Sequence, residues 1–260
     1  MKAAQKSNPD PVLIAVDAAL QPASVAVMRG QQVIEMRTAI PDVRTDAWLS
    51  PAIDDCLRAA GLELAEIDGF AVTTGPGAFT GIRVGLATCL GMAAPRRMPV
   101  AGVLTLEALA AMASATVDVE GAPWVAPCID ARRGQVYGAL YNLEAGCRLP
   151  LEATIKPMVA DPGDFVDLVC RCARAPLLIG TGTRYYDSSE LRSEEPSESM
   201  VEVPSAISIG SMSEPLAAPT GRLVASVWTS EGPSGCHPPE PVYIRSADAR
   251  PARNPLLSRT

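Results

Sequence analysis

From residue 12 onward the apolar positions fall into short blocks separated by polar, glycine-bearing punctuation. Val12-Leu-Ile-Ala-Val-Asp17 is apolar without a break and ends in an acid, the pattern of a strand covered on both faces. Residues 23–28 and 33–38 follow around Gly30, so a three-strand meander is expected. Over 45–60 the period changes. Trp48, Leu49, Ala52, Ile53, Cys56 and Leu57 recur at three- and four-residue spacing, which predicts a helix stopped at Gly61 and kinked or interrupted by Pro51. Residues 67–73 read as a second buried strand feeding Thr74-Gly-Pro-Gly-Ala-Phe-Thr-Gly81. A helix rich in small residues is expected over 83–94, with Pro95 as its stop. A strand over 100–103 and a helix over 106–113 capped by Thr105 complete the half.

The second half is less regular. Strands are expected over 125–129 and 136–142 around Asp130-Ala-Arg-Arg-Gly134, with a third over 149–155. Asp161 as N-cap and Pro162 in the first turn predict a helix over 162–172. Residues 177–180 form a strand running into a Gly-Thr-Gly turn, 188–199 an acidic solvated loop, 221–229 a helix and 233–241 a linker. No internal repeat is evident. Meander, helix, strand, helix, strand, helix is the order of one lobe of an α/β, two-lobed actin-like/sugar-kinase-like (ribonuclease H-like) fold, here with a reduced second lobe. The expected divisions are a disordered lead-in over 1–11, a first lobe over 12–105 and a smaller lobe over 106–260. The C-terminal segment of that second lobe is placed to return to the first.

Composition narrows the function. Of 260 residues, 48% are hydrophobic and 20% charged, a soluble globular balance. No apolar run approaches the roughly 18 residues of a membrane span, and residues 1–11 lack the apolar core of a signal peptide, so a cytoplasmic protein is expected. Seven cysteines without a C-x-x-C pair suggest reduced thiols, with Cys170 and Cys172 on different faces of their helix. The net charge is −7 and lysine occurs only at positions 2, 6 and 156, so no basic stripe is available to grip a phosphate backbone. Any RNA would be held by another chain. The single histidine, His237, falls in the proline-rich linker and reads as exposed; it excludes H-E-x-x-H and helical histidine pairs, so no metal site is expected.

Three stretches are candidates for function. Gly75, Gly77, Thr80 and Gly81 lie between a strand and a helix, where backbone N–H groups can meet an anion. The spacing fits neither a Walker loop nor a dinucleotide fingerprint, and a tight turn that sets the helix angle is the plainer reading. Asp17 ends the first strand, where actin-like folds place a phosphate loop, but Ala18 and Ala19 supply no hydroxyl. In the following helix Gly85, Ala87, Gly91 and Ala93 keep the surface thin while Val84, Leu86 and Leu90 are apolar. That helix either packs in its own lobe or docks a partner, with Leu49 and Ile53 beside it. Asp130, Arg132 and Arg133 read as a solvated hairpin with a salt bridge.

Taken in order, Leu13-Ile-Ala-Val-Asp17, Thr74-Gly-Pro-Gly-Ala-Phe-Thr-Gly-Ile-Arg-Val-Gly-Leu86, Ile129-Asp-Ala-Arg-Arg-Gly-Gln-Val-Tyr137 and Glu240-Pro-Val-Tyr-Ile-Arg245 resemble the TsaB (YeaZ) family. The resemblance implies a non-catalytic scaffold or activator for threonylcarbamoyladenosine formation beside the tRNA anticodon. It implies a TsaD-type catalytic partner, a TsaE-type ATPase and tRNA contacted only indirectly, and it leaves open whether the chain alone forms homodimers. ATP and magnesium would serve the complex, with no cofactor held by this chain and no catalytic residue in it. Arg83, Leu86, Ala87, Leu90, Leu49 and Ile53 would form the partner interface. The chain departs from the family at Thr45-Asp46, at Ala18-Ala19 and at Ala78, each of which weakens the case for a nucleotide held here. A stand-alone ATPase or small-molecule kinase, and last a peptidase, are the alternatives.

Overall fold

The computed structural model describes residues 8, 10–116, 124–143, 149–186, 204, 207–233 and 236–245. Strands β1 (Val12–Asp17), β2 (Ser24–Arg29) and β3 (Gln32–Thr38) form the meander, followed by helix α1 (Thr45–Ala59). Then come β4 (Gly69–Gly75), α2 (Phe79–Ala93), β5 (Val100–Leu104) and α3 (Thr105–Thr116). The five strands order as β3-β2-β1-β4-β5, with β1 antiparallel to β2 and parallel to β4. Alternation along β1 explains its unbroken apolar run. Val12, Ile14 and Val16 pack with Val25, Phe70 and Val72 under α1 and α2, while Leu13 and Ala15 face the opposite layer.

The second half holds β6 (Trp124–Arg132), β7 (Gln135–Asn142), β8 (Ala153–Ala160), α4 (Pro162–Cys172), β9 (Leu177–Ile179), β10 (Ser208–Gly210) and α5 (Ala217–Glu231). Its sheet orders as β10-β9-β6-β7-β8. Read from β8, the pairings run antiparallel, antiparallel, parallel, parallel, which is the plan of the first sheet read from β3. This doubled plan is the two-lobed actin-like fold. The second lobe is the leaner copy, with β9 and β10 three residues each and its outer face covered, among the described residues, by α4 with Tyr185 and Tyr186. Helices α3 and α5 lie between the sheets. Leu13 and Ala71 of one sheet, Leu109, Leu223 and Trp228 of the helices, and Val125 and Ile129 of the other sheet share one continuous core.

Several expectations change. Pro51 does not interrupt α1: it lies on the exposed side, so the Ala47 carbonyl that loses its helical partner faces water. Helix α2 starts four residues earlier than expected, at Phe79. Thr105 does not cap α3, for its hydroxyl is buried without a hydrogen-bond partner. Glu107 holds that end instead, its carboxylate accepting the Leu104 N–H at 3.1 Å. The strand expected over 149–155 forms over Ala153–Ala160; Leu149 is buried because it enters the shared core, not because it is in the sheet. Asp161 caps α4 by position only, and its side chain accepts from Gln135 at 3.2 Å. Cys170 and Cys172 are both exposed, since α4 buries one face only, through Phe165, Val166 and Val169. The acidic stretch over 188–199 and Cys147 lie outside the described residues, as does most of the lead-in over 1–11. Order nevertheless starts before residue 12, because Asn8 donates to Asp68 at 3.0 Å and the Pro11 carbonyl accepts the Gly30 N–H at 2.9 Å.

The segment 236–245 crosses back onto the first lobe. Its His237 carbonyl accepts the Gly102 N–H at 2.8 Å, which pairs part of the otherwise open edge of β5. The Thr74 carbonyl accepts the Val242 N–H at 2.8 Å. A side chain at Gly102 would press on the Pro238 carbonyl, and one at Gly75 on that of Val242. His237 is therefore not a free linker residue. Its Nε2 stands 3.7 Å from Oε1 of the buried Glu107, whose carboxylate holds the imidazole pKa above its usual value. The same carboxylate accepts the Leu151 N–H at 3.2 Å, tying helix, second-lobe loop and strap together.

A core shared by both sheets should unfold as one unit. Leu109→Ala, at a fully buried site, is expected to cost about 2–5 kcal/mol in urea denaturation while leaving a single transition. Two separable transitions would contradict a continuous core.

Candidate functional site

Asp17 ends β1 with its side chain 1% exposed. Its Oδ1 accepts the Thr73 hydroxyl at 2.6 Å and the Ala19 N–H at 3.0 Å, so it closes the turn that follows the strand. Oδ2 has no hydrogen-bond partner. Burial dominates and pushes the carboxyl up to about 6, against the lowering effect of those hydrogen bonds.

The turn after β1 and the glycine turn after β4 are in direct contact. The Ala19 carbonyl accepts the Ala78 N–H at 2.8 Å. A Cβ at Gly77 would collide with the Ala19 carbonyl oxygen, and one at Gly81 with that of Ala18. These two glycines serve the close approach of the loops, and the chain's own backbone fills the gap where a phosphate cradle would open. Gly75, with φ of 109°, makes the bend itself. Thr80 and Gly81 belong to the first turn of α2, because the Ala78 carbonyl already accepts the Ile82 N–H at 2.9 Å. Of the four residues expected in the turn, Gly75 and Gly77 remain there.

The expected partner face divides in two. Leu49 and Ile53 are fully buried and Leu86 is 5% exposed; all three pack beneath α1 and α2 against Ile14, Val72 and Cys89, and belong to the lobe's own core. Periodicity identified them as apolar but not which side of the helix was already covered. Burial pushes the neighbouring Cys89 thiol up to about 12, so it is an inert packing group. Arg83, Ala87 and Leu90 are exposed, together with Phe79, Gly91 and Ala94. At 3.6 residues per turn, positions 79, 83, 87, 90 and 94 fall within an arc of roughly 80°. Phe79 and Tyr243 are residues the sequence reading passed over. The Arg83 guanidinium lies 3.8 Å from the Phe79 ring centre and its Nε donates to the Tyr243 hydroxyl at 3.0 Å. The two rings are 5.0 Å apart, so strap and helix form one surface. The i, i+4 spacing of Phe79 and Arg83 was the available signal.

The charged turn is a hairpin with its tip, residues 132–134, in solvent and an ion pair between Arg132 and Asp130, as expected, but Asp130 itself is not solvated. Asp130 has a side chain 9% exposed, accepts the Tyr185 hydroxyl at 3.0 Å and the Arg132 N–H at 2.8 Å, and pairs with Arg184 at 3.0 Å. Burial comes from the 3-10 turn Thr181–Tyr185, which folds over it after β9. Arg132 points out at 83% exposure, its guanidinium 3.8 Å from Asp130, and Arg133 takes the first place of a two-residue turn with Gly134. These residues border a cleft of about 600 Å³ between the lobes, faced on the other side by Ala19, Leu20, Gly77 and Ala78. Among the described residues no three His, Cys, Asp or Glu side chains converge as metal ligands, and no helix is long and apolar enough to cross a membrane.

Comparison with known proteins adds lineage to this geometry. The family described as "TsaD: tRNA N6-adenosine threonylcarbamoyltransferase" matches residues 44–168. Escherichia coli "tRNA threonylcarbamoyladenosine biosynthesis protein TsaB" is 36% identical over 130 residues, which are 50% of this chain and 54% of that protein. The Bacillus subtilis protein of the same description is 26% identical over 174 residues, 67% of this chain and 72% of its own length. The solved structure "YeaZ from Pseudomonas aeruginosa" superposes with a TM-score of 0.64 at 26% identity, covering 90% of this chain and 99% of that one. The chain is similar to TsaB (YeaZ) proteins along most of its length. It spans about half the length of the Escherichia coli and Haemophilus influenzae TsaB relatives it matches. The TsaD match runs from α1 into α4 and so includes α2.

The closed loops make two quantities testable. Gly81→Ala should cost at least about 1–3 kcal/mol in denaturant unfolding, since the new methyl meets backbone rather than a movable side chain. An Asp17 carboxyl raised to about 6 from 3.8 adds nothing against folding below both values, and its charge opposes folding increasingly as pH rises through them. That opposition amounts to about 2–3 kcal/mol above pH 6. His237 acts in the same direction, its stabilisation being present below its unfolded value and lost as pH rises through the higher folded one. Asp17→Asn should therefore flatten, without abolishing, the fall in urea midpoint between pH 5 and pH 7.5. An unchanged slope would contradict the buried, unpaired Oδ2.

Proposed function

We propose that this chain is a non-catalytic accessory subunit in the formation of threonylcarbamoyladenosine in tRNA, acting in the cytoplasm. In this reading it scaffolds or activates a TsaD-type catalytic subunit, and a TsaE-type ATPase joins the pair. The observation that carries the reading is the outer face of α2. Phe79, Arg83, Ala87, Leu90 and Ala94 line a stripe about 22 Å long at 1.5 Å per residue, on a helix whose other face is buried. Small residues at 87, 91 and 94 let another helix approach closely, while Phe79, Leu90 and Tyr243 supply anchors. Three of the four large apolar side chains that are exposed among the described residues lie here. A TsaD-type partner is supported by the family match over 44–168, which gives such a partner counterparts of α1 and α2 to set against this face. The accessory role is supported by the names of the relatives and by the contact that closes the two first-lobe loops. The net charge of −7 fits tRNA held by the partner. In the absence of that partner the same stripe can join two copies of this chain.

Leu90→Asp is the direct variant, because Leu90 is exposed and the change leaves the core intact. It should weaken association with the cognate TsaD-type chain by about tenfold or more in light scattering coupled to size exclusion, with an unchanged urea midpoint. A charge at the buried Leu86 would report on folding instead. Depletion of the protein should lower threonylcarbamoyladenosine in bulk tRNA, read by nucleoside mass spectrometry. Unaltered nucleoside levels, or full turnover of ATP by the isolated chain, would refute the accessory role.

A further inference from the structure

The single histidine of the chain closes a contact at the start of the strap. The His237 ring is 38% exposed, but its Nε2 is buried and stands 3.7 Å from Oε1 of Glu107, in ion-pair range. Glu107 itself is 1% exposed. Its carboxylate accepts two backbone N–H groups, from Leu104 at 3.1 Å and Leu151 at 3.2 Å. Among the described residues His237 is the one side chain beside it that can carry a positive charge. A carboxylate taken out of water is held at least cost where a cation stands next to it. The exposed part of the imidazole lets that cation exchange its proton with solvent.

The other titratable groups around the pair leave it to act alone. Tyr141, from β7, stays neutral, its hydroxyl pushed up first by burial and then by the Glu107 charge. Burial pushes the Cys236 thiol, next to His237, up to about 11, and Glu231 at the exposed end of α5 adds to that rise. Glu152, beside Leu151 in the second-lobe loop, is exposed. The contact also has a backbone consequence. The His237 carbonyl accepts the Gly102 N–H at 2.8 Å and the Pro238 carbonyl lies against Gly102, so a ring held at Glu107 holds the strap on the edge of β5. Further along the same strap, the Tyr243 ring lies 5.0 Å from that of Phe79 and its hydroxyl accepts from Arg83 at 3.0 Å.

We propose that the strap is a proton-operated clasp: protonated His237 pairs with Glu107 and seats the strap on the first lobe, and with it Tyr243 on the outer stripe of α2, while loss of the proton loosens both. The stabilisation from this pair is complete below the ordinary imidazole value of 6.5 and is lost as pH rises through the higher folded value. Glu107 is a positioning residue, acting on Tyr243 through His237. The consequence for docking rests on the reading of α2 as a partner face, whereas the clasp itself does not.

With one histidine in the chain, the imidazole signal in an NMR titration of the full, isolated protein reads the clasp directly. Its midpoint should lie above 6.5 and fall to that value or below in Glu107→Gln. Gly102 amide protection, corrected for intrinsic exchange, should drop about threefold or more between about pH 6 and about pH 8.5. That drop is measured relative to Phe70, whose N–H is bonded to the Pro99 carbonyl in the same sheet and reports global opening. The cross-peak between the Tyr243 and Phe79 rings should weaken over the same range. His237→Ala keeps the fold, because the ring is partly exposed, and should hold Gly102 at the parent's high-pH protection at every pH. A midpoint at or below 6.5, a raised midpoint unmoved in Glu107→Gln, or Gly102 protection and a ring cross-peak that ignore pH would overturn the clasp. Each of these is read without a partner, so failure to bind a TsaD-type chain would count against the docking stripe alone.

Discussion

The carbonyl oxygens of Ala18 and Ala19 sit where side chains at Gly81 and Gly77 would have to be, and much of the first lobe is organised around that contact. It presses the turn after β1 onto the turn after β4 and starts α2 at Phe79. That start fixes which side of α2 faces the sheet. Ile82, Leu86 and Cys89 go inward, and Arg83, Ala87 and Leu90 are left outward. The same contact leaves Asp17 deep and half-satisfied. Its carboxylate is useful as a turn closure through Ala19 and Thr73, yet costly to ionise. A geometry that in an open form would cradle an anion is here a packing joint.

The joint sits in a frame that couples distant parts of the chain. Two sheets of one plan face each other across α3 and α5, so neither has a private inner core. The strap adds a second tie. Within four residues it bonds Thr74 through Val242, Arg83 through Tyr243, and the second-lobe hairpin through Arg245. The outer stripe of α2 and the arginine-lined side of the cleft are thus joined by one short, pinned segment.

Much of this was legible in the sequence where local rules act alone. The unbroken run Val12–Asp17 forms the buried strand it predicts, and Pro162 opens a helix that ends at Cys172. Other features depend on neighbours that the sequence does not place. Leu149 is apolar because of a helix layer, not a sheet, which displaced the expected strand by four residues. Leu49, Ile53 and Leu86 share a period with Leu90, but only the sheet beneath decides which of them is covered. The doubled sheet plan leaves no sequence repeat because it resides in strand pairing, which many side-chain sets satisfy. His237 read as a linker residue because its partner, Glu107, lies 130 positions away in the chain.

Amide hydrogen exchange at Ala19 and Ala78 in the isolated, ligand-free chain measures the joint itself. Both N–H groups are bonded within it, to Asp17 and to the Ala19 carbonyl. The account predicts that both exchange slowly without any addition and that magnesium and ATP leave their rates unchanged. Rapid exchange that becomes slow only when magnesium and ATP are added would mean that the loops are an open phosphate site, and would contradict it.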